Sequence, residues 1–183
     1  MKRTCMSPPR SALTPAPVGL YTAEQRARRD ATPWTGVQAV LAPLQFLVCL
    51  VSAALVLRAL LTGEGESLAL WSVLIKTAVL YLIMITGCVW EKVVFGQYLF
   101  APAFFWEDVF SMGVLALHTL YLAAWTQHWW PVSGLLVLAL AAYTAYLINA
   151  VQFLLKLRAA RLQMSPPGSQ RSAHSSLAAG ESA

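Results

Sequence analysis

Four long apolar runs alternate with short polar breaks along this chain. The first spans about residues 37–61 with no formal charge before Arg58, and the second spans 68–90, interrupted only by Lys76. The third spans about 103–125 and includes Glu107 and Asp108; the fourth, 132–155, has no formal charge. A hydrocarbon core of ~30 Å is crossed by ~20 helical residues, so each run is predicted to be a transmembrane helix. The breaks TGEGES at 62–67 and TQHWWP at 126–131 are short, which makes neighbouring helices antiparallel and packed. The expected fold is all-α, an integral membrane four-helix bundle formed by residues 20–162. Residues 1–19 and 163–183, rich in Pro, Ser, Ala and Gly, are expected to be disordered tails.

Within the apolar runs, polar and aromatic residues recur at alternating three- and four-residue spacing, which keeps them on one helical face. Gln38, Gln45 and Ser52 recur in the first run, and Thr77, Tyr81, Met84, Cys88 and Glu91 in the second. The third carries Glu107, Ser111, Val114, His118, Tyr121 and Trp125, and the fourth Tyr146, Asn149, Phe153 and Lys156. Lipid offers these groups no partners, so such stripes face one another or a wet cavity. One stripe is explained as helix glue, whereas four together suggest an internal polar pocket. With a rise of ~1.5 Å per residue, Glu107, Ser111, Gln45 and Asn149 fall in one layer, roughly 6–12 Å from one face. Lys76 and His118 fall in a second layer, each roughly 10–12 Å from the opposite face.

Charge sets the expected orientation. Lys2, Arg3, Arg10, Arg26, Arg28 and Arg29 precede the first run, Lys156, Arg158, Arg161 and Arg171 end or follow the last, and neither short loop has a Lys or Arg. By the positive-inside rule both termini are cytoplasmic, as is the 91–102 connection with Lys92. The composition, 58% hydrophobic and 11% charged, is far from the ~25% charged residues of a soluble domain. The net charge of +5 is accounted for by topology and attraction to anionic lipid, and argues against a nucleic-acid partner. The first apolar run is too long for a secretory signal and lacks a small-residue cleavage site. Cys5, Cys49 and Cys88 lack metal-ligand spacing and read as small apolar fillers, so no metal site is expected.

The segment WEKVVFGQYLFAPAFFWEDVFSM, residues 90–112, concentrates the candidate chemistry. It holds Glu91, Glu107 and Asp108, three of the eight acidic residues, beside the aromatic run Phe104, Phe105 and Trp106. Ionisable groups at membrane depth are costly and are usually functional. The competing explanation makes Glu107 and Asp108 interfacial carboxylates favoured by a helix N-terminus. A helix beginning near Pro102 would put both beyond the first turn, where that effect fades. His118 fits a hydrogen-bonded helix-packing residue as well as a base or ligand, and Lys76 fits an internal ion pair as well as a site. Gln38, Gln45 and Asn149 suit interhelical glue or substrate contact. The residues alone thus describe a membrane protein with a pocket of acids, amides and aromatics, suited to a flat apolar ligand but naming no substrate.

Three segments carry a resemblance: YTAEQRARRDATPWTGVQAVLAPLQFLV, then WEKVVFGQYLFAPAFFWEDVFSM, then INAVQFLLKLRAARL. Over about residues 20–162 the chain resembles the 2-vinyl bacteriochlorophyllide hydratase family. The resemblance implies hydration of the 3-vinyl group of a (bacterio)chlorophyllide to 1-hydroxyethyl, in bacteriochlorophyll biosynthesis in a phototroph. It implies no redox cofactor, a substrate that brings its own magnesium, and an address in the inner or intracytoplasmic photosynthetic membrane. Other enzymes of the pathway are further candidate partners. Hydrating a conjugated vinyl group starts by protonating its terminal carbon, which needs a carboxylic acid shielded from water. Glu107 or Asp108 is the expected acid, with Glu107 preferred because it continues the Ser111–His118 stripe. Glu91 or the other carboxylate would stabilise the cation, and Ser111 or Asn149 would orient water. His118 is a second choice of base. Gln45, Tyr146, Trp106 and Lys92 complete the expected substrate contacts. The rival classes are a tetrapyrrole-binding or photosystem-assembly protein, using the same pocket without catalysis, and a purely structural subunit.

Overall fold

The computed structural model describes residues 20–163, with side-chain surroundings as far as Arg158. The expected tails lie outside the described residues, except Gln163, which ends the last helix. Five helices and no strand make up the described residues: α1 (Ala23–Ala31), α2 (Pro33–Thr62), α3 (Glu66–Phe95), α4 (Phe105–Thr126) and α5 (Val132–Gln163). The last four are long and apolar enough to cross a membrane.

The helix ends follow local chemistry. The short helix α1 was not expected, yet its start is written as a capping box. Thr22 Oγ1 accepts from the Gln25 N–H at 3.2 Å, and Gln25 Oε1 accepts from the Thr22 N–H at 2.9 Å. Thr32 ends α1 and also caps α2, where Pro33 occupies the first turn and needs no N–H partner. That cap starts α2 four residues before the expected 37. Gly63 ends α2 with φ 72°, and Gly96 ends α3 with φ 87°, its N–H returning to Lys92 O at 3.1 Å. The helix α3 therefore runs through Glu91 and Lys92 to Phe95, whereas the sequence pattern assigned those two residues to a connection. The helix α4 starts at Phe105, later than the expected 103.

The helix α2 lies along α3, and α4 along α5. These two hairpins join through α2 against α5, while α3 touches α4 and α5 over shorter stretches and α1 rests on α3. One end of the molecule carries the 63–65 and 127–131 turns, here the loop end. The other, the connector end, carries α1, the 96–104 connector and the end of α5. A core of Cys49, Val56, Val73, Tyr121, Leu136, Ala139 and Tyr143 fills the loop half. Ala59, Ala69, Ala124 and Ala139 let backbones approach closely there, the usual device where lipid supplies no hydrophobic drive. At the connector end Phe104 is buried among Tyr21, Trp90, Phe95 and Phe153, with ring centroids 5.2–6.2 Å apart. Val40, Leu47, Val51, Ile75, Ile85, Val137 and Leu154 face outward, the composition of a lipid-facing surface.

Replacing Gly96 tests the α3 terminus in isolation, because a Cβ there would meet nothing within 4 Å. The penalty of Gly96→Ala is then purely conformational, about 1 kcal/mol for a left-handed L-residue. Thermal unfolding in detergent should show this loss, and the same stability as wild type would mean that α3 does not end at Gly96.

Candidate active site

The three acids of the connector end are all buried: Glu91 and Asp108 are 6% exposed and Glu107 is 7%. Glu91 comes from the last turns of α3, and the other two from the first turn of α4. The later start of α4 overturns the expectation that Glu107 and Asp108 lie beyond the reach of the helix N-terminus. Its partial positive charge does favour them. They are nonetheless not interfacial groups bathed in water, because the aromatic cluster and α5 close over them.

The two α4 acids point to different partners, as residues ~100° apart on a helix must. Glu107 Oε2 accepts from Lys156 Nζ on α5 at 2.6 Å. Lys156 also lies 5.2 Å from the Phe104 ring centroid, so the ion pair is packed against an aromatic face. Asp108 turns to α3, where its carboxyl and that of Glu91 are within hydrogen-bonding reach of each other. Cys88, one turn before Glu91, lies close to both.

The connector is tied to this carboxyl pair. The Phe100 N–H donates to Asp108 Oδ2 at 2.7 Å, and the Ala101 N–H donates to Glu91 Oε2 at 3.4 Å. Phe100 adopts φ 60°, a left-handed conformation that costs a bulky L-residue on the order of 1–2 kcal/mol. The bond to Asp108 holds it there. The Phe100 ring packs on Phe105 at 5.7 Å, and Phe105 on Trp106 at 5.5 Å. All three rings are substantially exposed, and they form an aromatic apron beside the acids.

The remaining expected site residues divide between two places. Asn149 Nδ2 donates to Ser111 Oγ at 2.8 Å, one turn further along α4 than Glu107, so these residues share the carboxyl end. Gln45 is fully buried on α2 and has no hydrogen-bond partner among the described residues. Lys92 is exposed, donates to Gly96 O at 2.8 Å and sits 5.0 Å from the Tyr98 ring centroid, a rim position. Glu91, grouped with it in the sequence as rim, is instead inside. Tyr146 faces Lys76, whose Nζ lies 4.0 Å from its ring centroid, and is not among the acids. His118 is fully buried in the loop-half layer, with Nδ1–H donating to Val114 O at 2.9 Å. Seven residues, roughly 10 Å, separate it along α4 from Ser111.

Three residues of this constellation were given no chemical role on the sequence pattern. Lys156 was placed on the stripe with Asn149 and Phe153 and counted among the charges that set topology. Ala101 and Phe100 act through backbone N–H groups, which leave no trace in side-chain identity. Among the described residues, no three His, Cys, Asp or Glu side chains converge to hold a metal ion.

The Glu107–Lys156 pair is testable as a stability element. Lys156→Met strands a buried carboxylate and should lower stability by about 2 kcal/mol, the size of a hydrogen bond to a charged group. Adding Glu107→Gln should restore much of that loss, as read by thermal unfolding in detergent. Equal stability of the single variant and wild type would dismiss the pair.

Residues 21–159 match the protein family described as 2-vinyl bacteriochlorophyllide hydratase (BCHF). A 2-vinyl bacteriochlorophyllide hydratase of Rhodobacter capsulatus is 65% identical over 156 residues, covering 85% of this chain and 90% of the relative. A protein of the same name from Cereibacter sphaeroides is 66% identical over 146 residues, covering 79% of this chain and 90% of the relative. No solved structure matches the chain. The matched stretch takes in α2, α3, α4, α5 as far as residue 159 and every residue of the carboxyl site, and the chain belongs to the 2-vinyl bacteriochlorophyllide hydratase family.

Proposed function

We propose that this protein is a hydro-lyase that adds water across the 3-vinyl group of a (bacterio)chlorophyllide, and that the Glu91–Asp108 pair supplies the proton. Family membership supports the reaction. The observation that carries the assignment of the acid is the meeting of two buried carboxyls from α3 and α4 beside an exposed aromatic apron. Two carboxyls brought together away from water resist being ionised at the same time, so such a pair suits the storage of the proton that the first step requires.

The chemistry then balances without a redox partner. The shared proton moves to the terminal vinyl carbon, and the adjacent carbon becomes a cation delocalised into the macrocycle. The carboxylate left behind stabilises that cation. A water oxygen bonds to the cationic carbon, and the proton it sheds returns to the carboxyl pair. The sum is one water added, which gives the 1-hydroxyethyl group, and magnesium enters only as part of the substrate. Glu107, preferred on the sequence pattern, is committed to Lys156 and suits an electrostatic role better than proton donation. Ser111 and Asn149 suit the orientation of water. The Phe100–Phe105–Trp106 apron suits the flat face of the macrocycle, and Lys92 the substrate propionate.

In this proposal the four long helices form a membrane bundle with both termini, and hence the carboxyl site, on the cytoplasmic side of a photosynthetic membrane. The clustering of Lys and Arg before α2 and at and beyond the end of α5 supports that orientation.

Membranes containing the protein, incubated with the 3-vinyl substrate in ¹⁸O-labelled water, should yield product heavier by one labelled water. Glu91→Gln and Asp108→Asn should each slow this turnover by about 10²–10⁴-fold, the usual contribution of a positioned acid, while pigment still binds. Pigment binding without turnover in the unmodified protein would favour a carrier. Full turnover in both variants would remove the pair from the chemistry.

A further inference from the structure

The carboxyl site leaves unexplained a line of polar atoms inside the protein. Among the described residues, the buried side-chain atoms without a hydrogen-bond partner are Gln45 Nε2 and Oε1, Lys76 Nζ, His118 Nε2, Tyr121 OH, Asn149 Oδ1 and Gln152 Oε1. Gln45, Lys76, His118 and Tyr121 are 0% exposed. Neither lipid nor the described residues give these atoms a hydrogen bond, although Lys76 does rest on the Tyr146 ring, and a buried polar group without such a bond is strongly disfavoured.

Helix register sets them at successive heights. Ser52 on α2 bonds Tyr143 on α5 at 2.6 Å, and these helices are antiparallel, so Gln45, seven residues earlier, is level with about residue 150. Ser111 on α4 bonds Asn149 at 2.8 Å, which sets His118 level with about 142 and Tyr121 with about 139. His118 indeed lies 6.0 Å, centroid to centroid, from Tyr143, and Lys76 lies over Tyr146. Along α5 the sequence of heights is then Tyr121, His118, Lys76, Gln45 with Asn149, and Gln152. It covers about 20 Å in steps of about 5 Å at the helical rise of ~1.5 Å per residue. Two hydrogen bonds of about 2.8 Å through one water bridge such a step.

We infer that these residues hold a file of water molecules inside the helices, and that the file delivers water to the hydration site from the protein side. The mixture of atoms selects water over other occupants. Lys76 Nζ only donates, Asn149 Oδ1 and Gln152 Oε1 only accept, and Tyr121 OH does both. An anion satisfies only the donors and a cation only the acceptors, whereas water serves each in turn. The file passes the Asn149–Ser111 pair and ends at Gln152, level with about residue 108 on α4. The delivery role rests on the proposed hydratase reaction; the file itself does not.

X-ray radiolytic labelling after rapid mixing into ¹⁸O-labelled water tests the file directly. Oxidation of buried residues requires water beside them. In the unmodified protein, His118, Tyr121 and Tyr143 should become labelled, with exchange slower than at exposed Trp129 and Tyr98. Labelling of Trp129 and Tyr98 alone would overturn the file. For delivery, Gln45→Leu should lower the hydration kcat at least tenfold with KM unchanged, while Tyr121 and His118, on the far side of the break from the acids, stay labelled. Unaltered kcat in this variant would overturn delivery. Labelling in an unmodified protein that fails to turn over the vinyl substrate would overturn the hydratase reaction and leave the file standing.

Discussion

A polar group in hydrocarbon has no solvent to fall back on, and the whole arrangement of this molecule follows from that constraint. Backbone groups meet it by forming four long helices. Hydroxyls meet it locally: Thr77, Thr119 and Thr144 each donate to the carbonyl four residues back, at 2.7–2.9 Å. Others meet it across helices, with Ser52 joining Ser72 and Tyr143, Gln38 donating to Thr86, and Tyr81 bonding Thr119. Each cross-helix bond fixes the register of one pair of helices, so the polar stripes set how the apolar surfaces meet.

Carboxylates are the hardest groups to satisfy in this way, and they account for the unusual backbone at the connector end. Glu91 and Asp108 draw in the N–H groups of Ala101 and Phe100, which folds the 96–104 connector over them and forces Phe100 to φ 60°. Phe104, driven inward by the same turn, packs against Phe153 on α5 and Tyr21 before α1. Trp90 Nε1 donates to Thr35 Oγ1 at 3.0 Å, and Thr35 Oγ1 donates to Arg29 O at 2.6 Å, tying α3 to the α1–α2 corner. The small α1 is therefore part of the site's walls.

The helices and their inward faces were legible because a membrane helix must be both long and apolar, and its polar exceptions must face inward. Gln45, Ser52, Lys76, Asn149 and His118 all follow from that rule. Partners were less legible, because a stripe gives direction but not rotation between helices. Glu107 was preferred to Asp108 because it continues the stripe, whereas their ~100° separation sends Glu107 to Lys156 and Asp108 to Glu91. Glu91 was misplaced by a boundary: charge ended the apolar run at Trp90, but helix termination waits for Gly96, five residues later. The stripe Tyr81–Met84–Cys88–Glu91 held the correct signal. For α1, the Thr22–Gln25 capping box is present in the sequence, but a nine-residue polar helix leaves no long apolar run to mark it.

Placing the acid between α3 and α4 resolves a difficulty of scale. A chlorophyllide macrocycle is far wider than the space between packed helices, so it cannot enter the interior where the polar stripes lie. The α3–α4 seam is sparsely packed, and Phe100, Phe105 and Trp106 are exposed beside it. A flat pigment lying on that apron needs to insert only its vinyl group to meet Glu91 and Asp108. In the proposed reaction, water approaching from the Asn149–Ser111 side would reach the same carbon from within the protein. The two reactants would then arrive from opposite sides of the carboxyl pair, one through lipid and one through the polar interior. A fixed direction of attack would favour one configuration at the new alcohol carbon, and the same partition would keep bulk water from the cation.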